Sequence, residues 1–205
     1  MKNLIRVILI GITVLIFSFQ SDEKSPLINI NQFDSVFTYD VRYATDNNFL
    51  KQQVYDCEQC LLIPEVAAAL VDANNEFCEL GYMIKLFDCY RPVSVQKKMW
   101  KIFPNPGYVG NPYKSGSIHN RGAAIDMTIV KLDSTILDTG SDYDHFGKEA
   151  HIDHPHNDTI VQNRKQLWSV MKKHGFSPIR TEWWHFNYDA KNYGLKVLDI
   201  PFDCK

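Results

Sequence analysis

Ser117-Ile118-His119-Asn120-Arg121-Gly122-Ala123-Ala124-Ile125-Asp126 and, further along the chain, Glu182-Trp183-Trp184-His185 hold two imidazoles and two carboxylates between them. Two imidazoles and one carboxylate suffice to bind a metal ion and leave a fourth position open. That is the layout of a catalytic zinc, whereas a structural zinc is closed by four protein ligands. The carboxylate left over is what a hydrolase needs to take a proton from water beside such a metal. His119 and Asp126 stand seven residues apart. On one continuous helix their Cα atoms would be separated by about 10 Å, too far for a short Asp to share an ion with the imidazole. Gly122 between them permits a sharp turn. The expectation is His119 on a loop and Asp126 on the strand that follows, with small Ala124 on the same face. Glu182 and His185 are three apart, and on a straight strand they face opposite sides. That segment must bend, bulge or make a helical turn for both to reach one site. Its two tryptophans supply apolar walls that exclude water.

Around these stretches the pattern predicts a helix from Pro64 to Phe77, with proline in its first turn and Gly81 as its stop. A strand follows over residues 82–88, then a second helix over 93–102. Residues 104–116, rich in Pro, Gly, Asn and Tyr, read as a loop. A strand is expected over 123–130, a third helix over 163–173 and an aromatic strand over 181–188. Residues 133–155 form a loop long enough to suggest a functional role. Val36 to Tyr43 reads as a strand or extended arm. Helices and strands do not alternate as βαβ units, which makes the class α+β.

The 205 residues suit one domain, with 45% hydrophobic and 22% charged side chains and a formal net charge of −2. No basic stripe is present, which argues against a nucleic-acid partner. Lys2 and Arg6 precede a short apolar run ending at Phe19, the pattern of an export signal. Gln20 is a poor residue for a cleavage site, so an uncleaved membrane anchor over residues 4–19 is the alternative. Residues 1–20 are thus read as signal or anchor, 21–35 as a polar linker and lead-in, and 36–205 as the catalytic domain. Export to the periplasm or cell envelope would place Cys57, Cys60, Cys78, Cys89 and Cys204 in an oxidising space. Structural disulfides are expected for two or four of them, leaving at least one over. His145, His151, His154 and His156 read as loop residues, with a second metal site as the alternative.

At its two histidine-bearing stretches the chain resembles the zinc D,D-peptidases of the family that contains D-alanyl-D-alanine dipeptidases, the VanX type. That family carries SxHxxGxAxD and ExxH, both complete here. The likeness extends over residues 36–203. Val41-Arg42-Tyr43-Ala44-Thr45-Asp46-Asn47-Asn48-Phe49 resembles its RYAT…NF opening, and Phe87-Asp88-Cys89-Tyr90-Arg91-Pro92 its DGYRP segment. Gly140-Ser141-Asp142-Tyr143-Asp144 resembles its MGxxFD loop. The departures are Tyr143 for Phe, Thr139 for Met and Cys89 for Gly.

The resemblance implies a Hedgehog/DD-peptidase-like fold, with a small central antiparallel sheet flanked by helices. It implies one Zn2+ per chain held by His119, Asp126 and His185. Glu182 would be the catalytic acid and base, Arg91 would stabilise the transition state, and Tyr43, Ser117 and Asp144 would contact a dipeptide substrate. The implied reaction is hydrolysis of D-Ala-D-Ala to two D-alanines, in cell-wall peptide turnover or glycopeptide resistance. Alternatives are an exported D,D- or L,D-carboxypeptidase or endopeptidase on peptidoglycan stems, and a non-catalytic zinc module that grips cell-wall peptide. On the residues alone, Arg91 reads first as a salt-bridge or capping residue ahead of Pro92, and Asp144 reads equally as a solvated loop acid.

Overall fold

The computed structural model describes residues 25–188 and 195–204. The apolar N-terminal stretch, with its signal and anchor readings, lies outside them. Strand β1 (Ile28–Asn29) is short, and so is β2 (Thr38–Tyr39). β1 pairs antiparallel with β3 (Leu61–Leu62), and Leu27 and Ile30 beside it are buried. Folded structure therefore begins inside the stretch read from its polarity as a lead-in.

Helix α1 (Pro64–Glu79) starts on its proline and buries Val66, Ala67, Leu70, Ala73 and Phe77 at helical spacing. Gly81, at φ +86°, turns the chain into β4 (Tyr82–Asp88). Buried Asn74 on α1 ties three segments together. Its amide donates to Ser35 Oγ and the Val36 carbonyl, and its Oδ1 accepts the Ile84 N–H, each at 2.8–2.9 Å. Helix α2 (Val93–Ile102), strand β5 (Ala124–Lys131), helix α3 (Asp158–Lys173), β6 (Phe176–Ile179) and β7 (Glu182–Tyr188) complete the fold. Helix α3 begins before the expected residue 163. Asn157 caps it by accepting the Ile160 N–H, and Asp158 sits in its first turn, where the helix dipole favours an acid.

The main sheet runs β2-β4-β5-β7-β6. Every pairing is antiparallel except β2 with β4, so the expected antiparallel sheet carries one short parallel strand at its edge. β5 lies at the centre and is buried on both faces up to Val130. Ile125, Met127 and Ile129 point into the main core, while Asp126 and Thr128 face the other side.

Two disulfides join Cys57 to Cys204 and Cys60 to Cys89, and Cys78 is free. The two halves of Cys57-Glu58-Gln59-Cys60 thus pair with different partners, which excludes a redox CxxC or half zinc knuckle. The long loop between β5 and α3 is anchored from below by Arg164, which is buried. Its guanidinium donates to the carbonyls of Thr139, Glu149 and His151 at 2.7–3.0 Å and lies over the Trp183 ring. Burial pulls this arginine down to about 10. Arg164→Met removes all three donors while keeping the stem. It should lower unfolding free energy by roughly 3–5 kcal/mol, read from urea denaturation. An unchanged midpoint would show that the three carbonyls find other partners.

Candidate active site

Three side chains stand in a row across the centre of the sheet. Asp88 on β4 lies opposite Asp126 on β5, which lies opposite His185 on β7. Residues directly paired on neighbouring strands project to the same face, so this register brings them together. β4 reaches it through a bulge at Phe87, where pairing shifts between Leu86 and Asp88. β7 joins it in regular pairing with β5, while its pairing with β6 carries a larger irregularity. Pro178 pairs with Phe186 but the next residue, Ile179, pairs with Glu182. The extra residues in β7 are Trp183, Trp184 and His185, and this is how Glu182 and His185 come to one site despite their odd spacing. Both tryptophans are buried.

His119 arrives from a 3-10 turn, His119–Arg121, that ends on Gly122 at φ +65°. A Cβ at Gly122 would lie 2.5 Å from Leu27 Cδ2, so glycine is required there both by its backbone angle and by close packing. The expected placement of His119 on a turn and Asp126 on the following strand is what the fold contains.

His119 Nε2, His185 Nδ1 and Asp126 Oδ1 form a triangle with sides of 3.3, 2.9 and 3.4 Å. Donors about 2.0–2.1 Å from a tetrahedral zinc are separated by roughly 3.3 Å, so the three atoms fit such an ion with little adjustment. Each ligand is also held from behind. His119 Nδ1 lies 2.7 Å from the Cys89 carbonyl, which fixes Nδ1 as the protonated nitrogen and leaves the Nε2 lone pair for a metal. His185 Nε2 bonds Asn187 Oδ1 at 2.9 Å, and Tyr143 Oη donates to Asp126 Oδ2 at 3.0 Å. Among the described residues, these three form the one group of His, Cys, Asp and Glu side chains arranged to hold a metal. The loop histidines do not form a second: His145 pairs with Glu149, and His156 bonds the Glu149 carbonyl.

Charge is concentrated here. Burial alone would raise Asp126, but the His119 and His185 rings hold its carboxyl well below the usual range. Burial works against a charged His185, yet the Asp126 carboxylate pushes it up to about 9. The Glu182 carboxyl is raised by burial, with Glu182 Oε2 3.7 Å from His185 Nδ1. Asp144 is raised well above the ordinary aspartate range, by burial first and by the Asp126 charge second. Its one hydrogen-bond donor among the described side chains is Tyr43 Oη, at 2.9 Å, and its backbone sits at φ +57°. A left-handed non-glycine residue at such a place is the kind of strain that accumulates at binding sites.

Arg91 is both ion-paired and aimed at the site. It contacts the Asp88 carboxylate through two nitrogens, Gln96 Oε1 at 3.0 Å through a third, and lies against the Tyr43 ring. Asp88 in turn accepts the Tyr55 hydroxyl at 2.6 Å. These partners use three of the five N–H donors of the guanidinium and leave two for the cavity. Arg91 thus makes a salt bridge and lines the cavity at the same time. Sequence reasoning missed Asp88, Tyr55 and Gln96 as the frame of Arg91, and Asn187 as the partner of His185. Asp88 lies within the quoted FDCYRP stretch, but only the β4–β5 register reveals its partners.

Tyr43, Arg91, Ser117, His119, Asp126, Asp144, Glu182 and His185 all line one cavity of about 340 Å3. The volume is at the low end for small-molecule sites. Tyr108 and Phe146 flank it, their rings 4.0 Å apart, bridging the loop after α2 to the loop after β5.

The D-ala-D-ala dipeptidase model of peptidase family M15 matches residues 24–203. The chain is 34% identical over 167 residues to the D-alanyl-D-alanine dipeptidase of Escherichia coli (strain K12), covering 80% of this chain and 85% of that protein. It is 31% identical over 189 residues to the D-alanyl-D-alanine dipeptidase of Enterococcus faecalis (strain ATCC 700802 / V583), covering 80% and 87%. Among solved structures it is similar to the LdcB LD-carboxypeptidase, with 20% identity and a TM-score of 0.45 over 82% of this chain and 70% of that one. The chain thus belongs to the D-Ala-D-Ala dipeptidase family of metallopeptidases.

Proposed function

We propose that this protein is a zinc dipeptidase that hydrolyses D-Ala-D-Ala to two D-alanines, one Zn2+ being held by His119, Asp126 and His185. The observation that carries it is the convergence, in one small cavity, of that ligand triangle with the carboxylates of Glu182 and Asp144 and the guanidinium of Arg91. Bound there, zinc supplies Lewis-acid polarisation of the peptide carbonyl and acidifies water.

The remaining chemistry belongs to the protein's own groups. Glu182 accepts the proton of the attacking water and returns it to the leaving amine; its raised carboxyl suits it to both acts. The two spare N–H groups of Arg91 face the oxygen on which negative charge develops, a contribution typically worth ~3–4 kcal/mol. Asp88 and Gln96 fix the guanidinium beforehand, so no reorganisation is needed as that charge forms. Asp144 receives the free ammonium of the dipeptide and is held by Tyr43. Ser117 Oγ accepts the His119 N–H and keeps its own proton to donate to the substrate. A carboxylate held by the Tyr43 hydroxyl favours a charged amino terminus and disfavours a blocked or extended one.

Export to the periplasm or cell envelope, and a role in turnover of cell-wall peptide there, belong to the same proposal. They are supported by the apolar N-terminal stretch and by two disulfides, which persist in oxidising compartments.

Zinc-loaded protein incubated with D-Ala-D-Ala should release D-alanine, while N-acetyl-D-Ala-D-Ala and a stem pentapeptide should not react. Release of terminal D-alanine from the pentapeptide would establish a carboxypeptidase instead. Glu182→Ala should keep one zinc per chain and lose roughly 10²–10⁴-fold in kcat; turnover at the wild-type rate would remove Glu182 from its role. His119→Ala should lose the metal, and full zinc content in that variant would contradict the ligand assignment. Asp144→Asn should raise KM for D-Ala-D-Ala while narrowing the preference over the N-acetylated dipeptide. An unchanged ratio between the two substrates would place the ammonium elsewhere.

A further inference from the structure

The carboxylate of Asp126 has two oxygens with separate tasks. Oδ1 faces the two imidazole nitrogens of the ligand triangle. Oδ2 is turned away and accepts the hydroxyl of Tyr143 at 3.0 Å. Both residues are buried, with 4% of each exposed, so water does not compete for this bond.

The phenol is held firmly from three sides. Its ring stacks on Phe87 with centroids 4.6 Å apart, and meets Trp184 and Tyr43 edge-on. Phe87 is the bulged residue of β4, and Trp184 belongs to the irregular stretch of β7. The two sheet distortions that bring Asp88 and Glu182 to the site therefore also build the slot for this ring. On the chain side, the Tyr143 N–H is anchored to Asp142, which pairs with Arg42. The hydroxyl thus has little freedom to leave Asp126. A Phe at this position, the usual residue of the family this chain resembles, would fill the same slot and leave Oδ2 without that donor.

We propose that Tyr143 is a positioning residue for the metal: its hydroxyl ties down Oδ2, so that Asp126 presents Oδ1 alone to the ion in a fixed orientation. The inference rests on the metal-site reading given above and deepens it. An unrestrained carboxylate can swing, or chelate through both oxygens, and must lose that freedom each time a metal binds. Outer hydrogen bonds to metal ligands commonly change affinity by roughly 10–100-fold. Tyr143 also immediately precedes Asp144, so a single loop segment touches both a metal ligand and the cavity.

The test is zinc affinity of the full chain, measured by competition with a chromophoric chelator, for wild type, Tyr143→Phe and Tyr90→Phe. Tyr90 is a buried phenol that accepts the Ile200 N–H and touches no ligand, so it controls for loss of a hydroxyl as such. Melting temperatures of the metal-free proteins, recorded alongside, report the purely structural cost. The expected result is a zinc dissociation constant raised roughly 10–100-fold in Tyr143→Phe and unchanged in Tyr90→Phe. A value for Tyr143→Phe within twofold of wild type, or equal weakening in both variants, overturns the role of Tyr143 while leaving the metal site standing. If wild type itself fails to compete for zinc, the ligand triangle is refuted and the inference falls with it.

Discussion

Asp126 lies near the start of the central strand, where burial on both sides makes an isolated carboxylate very costly. The molecule answers that cost from every direction at once. His185 comes from one neighbouring strand, His119 from the turn just before β5, and Tyr143 from the long loop above. His119 needs a left-handed glycine and Tyr143 a far-reaching loop to get there, while His185 arrives through regular pairing of β5 with β7. The irregularities of this fold are concentrated where the charge is.

The same logic extends one strand outward. Asp88 is a second buried carboxylate in the row, and it is answered by Arg91 and Tyr55 rather than by imidazoles. Two acids on adjacent strands thus organise two different sets of nitrogen groups, one shaped for a metal and the other for an oxyanion. His119 sits between them, with Nδ1 3.8 Å from Asp88 and Nε2 3.4 Å from Asp126. Electrostatic preorganisation of this kind is costly to fold and is retained because it is fixed before substrate arrives.

Much of this was legible in the residues. Regular elements with strong periodicity, such as β4, α2 and β7, fall where apolar spacing and punctuation by Gly and Pro place them. Gly122 announced the turn between two ligands. What was hidden is whatever depends on register. The distance between Glu182 and His185 is set by how β7 slips against β6, and nothing in Glu-Trp-Trp-His states which residue is extra. The partners of Asp88 are likewise visible only once β4 lies beside β5. The N-terminal end of α3 was lost in a polar run because a capping Asn looks like loop until the helix behind it is seen. Short strands such as β1 carry too few residues to show any alternation, and the polar character of residues 21–35 concealed the buried Leu27 and Ile30.

The bond between Cys57 and Cys204 spans 147 positions and turns most of the polypeptide into a covalent circle. All three candidate metal ligands belong to that circle, as do both carboxyl groups of the cavity loop and β7. A protease that nicks an exposed connection, whether between α2 and β5 or between β5 and α3, opens the circle without releasing a fragment. His119 and His185 would then stay tethered on either side of the second cut. An enzyme built this way can suffer a broken backbone and still keep its pieces at high local concentration, for as long as its surroundings leave that one sulfur–sulfur bond intact.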